Sequence, residues 1–277
     1  YARTTAGRWS YDLHFAFTNK QPNFYFDRDC YHTCNYQLEQ MGYCKKGQTL
    51  QRCCIVAGLE KYRQELYLRA VLGQTNTTAG EHNTQDFVTQ MLMYLHFAGD
   101  IHQPLHVDAL AELGGNMYHV IWNGSTLCGH KPYQKKCQLH HLWDKEMILK
   151  RMEDLFGQKT VHHLQNDPRE ADYAKHIYNR FKDTPWQIED NESPANWASE
   201  SSELSYMAYT TLENEEVSYN YYNLSINVIE RQLFKAGTRI HHALETWFGD
   251  HPKPCYSSYP PYEKCAWQEP LCRPAHL

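Results

Sequence analysis

The sequence has no apolar run near the roughly 20 residues that a membrane-spanning helix needs, so no span is expected. It also has no excess of positive charge: 27 Lys and Arg stand against 32 Asp and Glu, a net charge of -5. Without a global basic field, tight duplex binding through phosphates alone is disfavoured. None of the ten cysteines forms a Cys-x-x-Cys pair, which sets zinc-finger arrays aside. No internal repeat is present, so solenoid and propeller architectures drop out. No signal peptide precedes Tyr1, and Tyr1 is read as a processed or truncated start.

What is present points to one compartment and one kind of chemistry. The 277 residues suffice for one large domain or two small ones. The cysteines lie at Cys30, Cys34, Cys44, Cys53 and Cys54, then Cys128 and Cys137, then Cys255, Cys265 and Cys272. With zinc-finger spacing absent, disulfides are the better reading. Asn-x-Ser/Thr sequons at Asn76, Asn123, Asn191 and Asn223 add weight to a glycoprotein that is secreted or held in a vesicular lumen. Histidine is frequent, at 17. An anionic chain leaves room for a metal site, which brings its own positive charge.

The densest chemistry lies between Tyr94 and His106. His96, Asp100, His102 and His106 fall there, after an apolar run that reads as a buried helix. His96 and Asp100 are spaced four apart, so they share one helical face. Pro104 cannot continue the helix, which places His106 just beyond its end. The spacing recurs at His140 and Asp144. One such pair is usually a surface or capping pair. Two pairs plus His106 are too many ligands for one tetrahedral ion and predict a cluster of at least two metals. Paired ions about 3.5–4 Å apart are the usual means of hydrolysing phosphate esters.

Periodicity predicts helices over 49–72, 86–103, 138–155, 168–182, 195–211 and 226–248. Residues 1–48 look irregular. Met117–Trp122 reads as a strand leading into an Asn123-Gly124 hairpin turn. Cys128 and Cys137 bracket a short basic loop that a local disulfide could close. Residues 250–277 are rich in Pro, Cys and Tyr, lack periodicity, and are read as a disulfide-tethered tail. The expected fold is all-α: a single helical domain over 1–249 with one small β-hairpin and disulfides.

These motifs resemble the zinc-dependent single-strand nucleases of fungi and plants, which share a helical fold with bacterial zinc phospholipases C. The resemblance rests on His96-Phe-Ala-Gly-Asp-Ile-His-Gln-Pro-Leu-His106, Gly114-Gly-Asn116 and Leu139-His-His-Leu-Trp-Asp144. It extends to Asp27-Arg-Asp-Cys30, Cys54-Ile-Val-Ala-Gly58, Trp197-Ala-Ser-Glu-Ser201 and Lys235-Ala-Gly-Thr-Arg239. It implies up to three zinc ions. His106, His140 and Asp144 would hold one, His96 a second, and Asp100 would bridge the second and third. It implies in-line hydrolysis of single-stranded DNA or RNA to 5′-mononucleotides, with action on 3′-nucleotides as a companion activity. Gly114 and Asn116 would line the scissile-nucleotide site, with Asp100 and Asn116 at the reacting phosphate. Tyr11 would stack on a base, and Cys30 would pair with Cys54.

The resemblance has gaps. The family's N-terminal tryptophan, a nearby histidine and an aspartate ligand have no counterpart from Tyr1 onward. Ser10 is aligned with a zinc-binding histidine of the family. His14 lies four residues further on, at the wrong offset, and the ligand set is drawn without it. That leaves one complete zinc set and a second with only His96 and Asp100. A second function is therefore carried alongside the nuclease: a catalytically degenerate extracellular glycoprotein of the same fold, assembling into a larger structure. A third is a phospholipase C-like esterase, with which the Gly114–Asn116 and Leu139–Asp144 patterns do not side.

Overall fold

The computed structural model describes residues 13–18, 21, 23–33, 49–51, 54–72, 83–108, 113–129, 134–157, 167–188, 192–210, 212 and 215–249. A short helix α1 (Phe26–Asp29) precedes strands β1 (Tyr31–Thr33) and β2 (Thr49–Gln51), which pair antiparallel. Two long helices follow, α2 (Ile55–Leu72) and α3 (Asn83–Asp100), then a single 3-10 turn at Pro104–His106. Strands β3 (Leu127–Cys128) and β4 (Lys135–Lys136) form a second antiparallel pair. Next come α4 (Leu139–His141), a π-turn at Leu142–Glu146, and α5 (Met147–Phe156). The chain continues through α6 (Arg169–Phe181), α7 (Pro194–Ser205), α8 (Met207–Thr210) and α9 (Tyr219–Phe248). No described helix is long and apolar enough to cross a membrane.

The all-α class follows the helical periodicity, and the departures from it have local causes. The helix read as starting at 49 begins at Ile55, because residues 49–51 pair with 31–33 and Cys54 is bonded to Cys30. The helix from 138 is interrupted by the π-turn, and the one from 195 breaks at Tyr206. The last helix starts at Tyr219 rather than 226, because the Ser218 hydroxyl accepts from Tyr221 N at 3.1 Å and caps it. Residues 117–122 form no continuous strand; they are held by single bridges, His119 to Gln138 and Ile121 to Glu216. The Asn123-Gly124 turn does form. Both residues have positive φ, 51° and 71°, as a primed hairpin turn requires, and Trp122 bridges Ser125 across it. The second disulfide joins Cys128 to Cys137. Tyr11, Ser10, Asn76, Asn191 and the tail from 250 lie outside the described residues.

Three apolar clusters make the core. The first packs Leu13 and Ala16 against Ile55 and Leu59 of α2, Tyr94, Phe97 and Ile101 around α3, and Trp197 and Trp247. The second surrounds Trp143, whose indole N–H donates to the Tyr221 hydroxyl at 2.8 Å. The third lies between α5 and α6. One wholly buried carboxylate, Glu230 of α9, accepts from Arg151 Nε at 2.8 Å and the Tyr173 hydroxyl at 3.2 Å, and also pairs with Arg180. Charges buried this way need several donors, and here those donors tie α5 and α6 to α9.

Glu60 of α2 is the contrasting case. It is 5% exposed, and its Oε1 has no partner among the described residues. Burial raises its pKa to about 7, with Arg63 pulling only partly the other way. A carboxyl whose folded pKa is raised stabilises the fold fully below its unfolded value, and loses that contribution as pH rises through the folded one. The window is therefore about 4.5 to 7. The loss across it is about 3 kcal/mol at ~1.4 kcal/mol per unit. Glu60→Gln is expected to flatten the fall in stability between pH 5 and pH 8 by about that amount, read from thermal unfolding. An unchanged slope would rule Glu60 out as the titrating group.

Candidate metal centre

The end of α3, the 3-10 turn and the π-turn bring the histidine–aspartate pairs together, and a third segment joins them. Residues 13–18 run beside 106–108: Ala16 N donates to the His106 carbonyl at 2.9 Å, and Ala16 bridges Val107 in parallel. Leu13 is buried in the first apolar cluster, which anchors this segment and carries His14 to the α3 ligands.

Two groups of donors result. In the first, His14 Nδ1 lies 2.7 Å from Asp100 Oδ2 and 3.2 Å from His96 Nε2, and His96 Nε2 lies 3.3 Å from the same carboxylate. In the second, His106 Nε2 is 3.5 Å from Asp144 Oδ1, and His140 Nε2 is 3.3 Å from Asp144 Oδ2. Within each group the donor atoms lie within 4.8 Å of one another, close enough to share a cation. His106 Nδ1 comes within 3.9 Å of Asp100, so the groups adjoin. The structure places His14 beside His96 and Asp100, in a group that the ligand set read from the sequence had drawn without it. The readable signal was Leu13-His14-Phe15, an imidazole between two apolar residues.

The donor chemistry fits a divalent cation. His106 Nδ1 donates to the His14 carbonyl and His140 Nδ1 to the Gly114 carbonyl, each at 2.7 Å. Both Nδ1 positions are thus occupied, and both Nε2 lone pairs turn toward Asp144. Histidine ligands held this way by backbone carbonyls are the usual supporting arrangement at metal sites. The electrostatics agree. Burial would push Asp100 and Asp144 up, but the surrounding histidines outweigh it and hold both carboxyls below their usual range. Burial would depress His106, yet Asp100 and Asp144 lift it to about 9.

The surrounding residues hold this geometry. Gln103 accepts from Leu105 N at 2.6 Å, capping the 3-10 turn, and its amide donates to Asp144 Oδ1 at 2.9 Å. The π-turn widens the helix under Asp144, as such turns often do at functional sites. Phe15 stacks on His106, ring centroids 5.0 Å apart and planes 14° apart. Phe97 lies edge-on to His14 at the same centroid distance, 5.0 Å, while Tyr11, expected to stack on a base, lies outside the described residues. Gly114 has φ +59°, and a Cβ there would lie 2.1 Å from the Leu105 carbonyl oxygen. Asn116, two residues on, donates Nδ2 to the Leu113 carbonyl at 2.9 Å, and its backbone carbonyl accepts from Gln138 Nε2 at 2.7 Å.

Behind the centre lies His102, wholly enclosed between Asp100 and His106 in sequence. Its Nδ1 donates to the Ala98 carbonyl at 2.6 Å, and Arg239 donates to its Nε2 at 2.7 Å. Burial first, and the Arg239 charge second, pull its pKa down to about 3, which keeps the ring neutral. Arg239 is itself held by Glu192 and Glu200 and lies over the faces of Trp186 and Trp197, 5.2 Å from each. The segments around Trp197 and Arg239 thus serve to pin the ligand-bearing turn to α7 and α9.

Two substitutions follow from these contacts. Gly114→Ala is strained by its φ and by the Leu105 oxygen, and should cost at least about 2 kcal/mol and weaken metal binding at the second group. Retained metal affinity by titration calorimetry would refute that coupling. Arg239→Met leaves the half-buried Glu192 without its cation and removes the donor to His102, while Glu200 keeps Lys235. The expected loss is about 3–5 kcal/mol in denaturant unfolding, and a change under about 1 kcal/mol would remove the pinning role.

Comparisons with known proteins agree with this geometry. Residues 1–249 match the S1/P1 Nuclease family. The chain is 27% identical to Endonuclease 4 of Arabidopsis thaliana over 254 residues, covering 89% of this chain and 73% of that protein. Endonuclease 1 of the same plant is also 27% identical, over 252 residues, covering 88% of this chain and 70% of that protein. Nuclease S1 of Aspergillus oryzae (strain ATCC 42149 / RIB 40) is 27% identical over 186 residues, covering 62% of this chain and 59% of that protein. With a helical fold, two adjoining histidine–aspartate groups and a match across nine-tenths of its length, this chain belongs to the S1/P1 nuclease family.

Proposed function

We propose that the protein hydrolyses phosphodiester bonds of single-stranded DNA or RNA to 5′-mononucleotides, with zinc at both donor groups and a companion action on 3′-nucleotides. The observation that carries this reading is the convergence of five imidazole and carboxylate side chains plus His14 into two adjoining groups. Imidazole with carboxylate suits zinc. Bound divalent ions would supply Lewis acidity, activating water and stabilising the departing oxygen.

The side chains of this chain do the rest. His106, His140 and Asp144 form the more buried group, and His14, His96 and Asp100 the more open one, with His96 half exposed toward substrate. Asp100 would hold an ion with His14 and His96, and its Oδ2 also lies 3.9 Å from His106 Nδ1. Asn116 is assigned to the scissile phosphate, where its side chain would orient an oxygen. Gly114 shapes that corner. Tyr11 would offer an aromatic face to an unpaired base, and stacking of that kind favours single strands. A duplex keeps its bases paired and cannot present one.

The degenerate-glycoprotein reading drew in part on an incomplete second donor group, and His14 beside His96 and Asp100 supports the enzyme over it. A secreted or lumenal glycoprotein remains the proposed setting: the Cys30–Cys54 and Cys128–Cys137 disulfides suit an oxidising compartment. Asn123, on an exposed turn, is the most accessible of the described sequons. Asn223, in α9, is half-buried, and Asn76 and Asn191 are proposed on sequence alone. The tail from 250 is proposed to be tethered by its own cysteines.

The test is metal analysis of the purified protein beside digestion of single-stranded DNA with and without a chelator. Bound zinc and chelator-sensitive release of 5′-mononucleotides are expected. His140→Ala should lower the rate by more than about 100-fold, beyond the loss typical of a residue that only supports a ligand. Undiminished digestion in chelator, or full activity of that variant, would overturn the assignment.

A further inference from the structure

A groove of about 710 Å³ opens between α5, α6 and α9. Its walls are Ile148, Leu149 and Met152 of α5, Ile177 of α6, and Leu233 and Phe234 of α9. Two of the hydroxyls lining those walls are already committed, and the third, of Tyr178, belongs to an exposed side chain. Tyr173 donates its hydroxyl to Glu230 at 3.2 Å, and Thr238 donates Oγ1 to the Phe234 carbonyl at 2.8 Å. A nucleobase or a peptide placed there would leave its polar edge unpaired, which is costly away from water. An aliphatic chain has no such edge.

Gly237 supports this independently. It lines the groove in the middle of the 30-residue α9, and a Cβ built on it meets nothing within 4 Å. Glycine is a poor residue for a helix interior, and no contact in the fold calls for one here. Its effect is to leave the groove open. The groove also shares a residue with the candidate metal centre, because Asp144 lines both. Lys145, the next residue, lines it too and makes no ion pair among the described residues. Glu170 and His241 complete the polar rim.

We propose that this groove takes a single aliphatic chain whose phosphate head group sits at Lys145, next to Asp144. Asp144 is already paired with His106 and His140, and Lys145, the lysine among the lining residues, is the cation that receives the anion, with Glu170 the other carboxylate of the rim. The placement of the head group rests on the metal-centre reading; the seat for the chain does not. The α9 wall from Leu233 to His241 runs about 12 Å at the helical rise of ~1.5 Å per residue. An extended chain advances about 1.2 Å per bond, so about ten carbons fill it.

The experiment titrates the full chain with n-alkyl phosphates from butyl to dodecyl by calorimetry, with inorganic phosphate and adenosine 3′-phosphate as comparison ligands. Affinity should rise about fourfold per added methylene up to about ten carbons and then level off. Gly237→Phe should abolish that rise, and Gly237→Ala should keep it. Gly237→Ala should digest single-stranded DNA at the rate of the natural chain, so failure of the groove and failure of the nuclease reading are separable. A flat series in the natural chain overturns the proposal whatever the variants do. So does a rise that survives Gly237→Phe. Loss of adenosine 3′-phosphate binding in Gly237→Phe would make the groove a nucleobase subsite, and that too overturns it.

Discussion

The structure depends on one electrostatic constraint: two carboxylates and four imidazoles are gathered at one place, His106 and His140 buried, His96 and Asp144 reaching solvent. Side chains of this kind are expensive to enclose unless they neutralise one another or share a cation. Asp100 and Asp144 are each held ionised by histidines, and His106 lies between them with its pKa raised. The donors therefore have a common focus, and the rest of the fold keeps them from relaxing away from it.

Backbone contacts supply most of that restraint. The His14 carbonyl takes the His106 Nδ1 proton and the Gly114 carbonyl takes that of His140, so ring orientation is decided by main chain rather than by mobile side chains. Gly114 can approach the Leu105 oxygen because it lacks a Cβ, which brings the segment before α4 under the 3-10 turn. A donor set mounted on helix ends and backbone carbonyls is more rigid than one on free loops, as a site needing fixed ligand distances requires.

A second layer of charge holds the helices that carry the first. Arg239 links α9 to His102 and, through Glu192 and Glu200, to α7 and the segment before it. Glu230 draws Arg151, Tyr173 and Arg180 onto α9 from the other side. Between these two networks the apolar surfaces of α5, α6 and α9 do not close, and the groove beside Asp144 remains.

The sequence by itself determined the helices, the break before Pro104, the Asn123-Gly124 turn and the pairing of His96 with Asp100 and of His140 with Asp144. All of these are set by spacing within a few residues, where helical geometry and local sterics decide the outcome. Five of the six donor residues were legible for that reason. Only the tertiary structure decided that His14 belongs with them, since its place depends on a bridge between Ala16 and Val107, ninety-one positions apart in the chain. The same holds for Gln103 on Asp144, Arg239 on His102 and the strand at 49–51, each of which owes its position to a distant partner that no local period encodes.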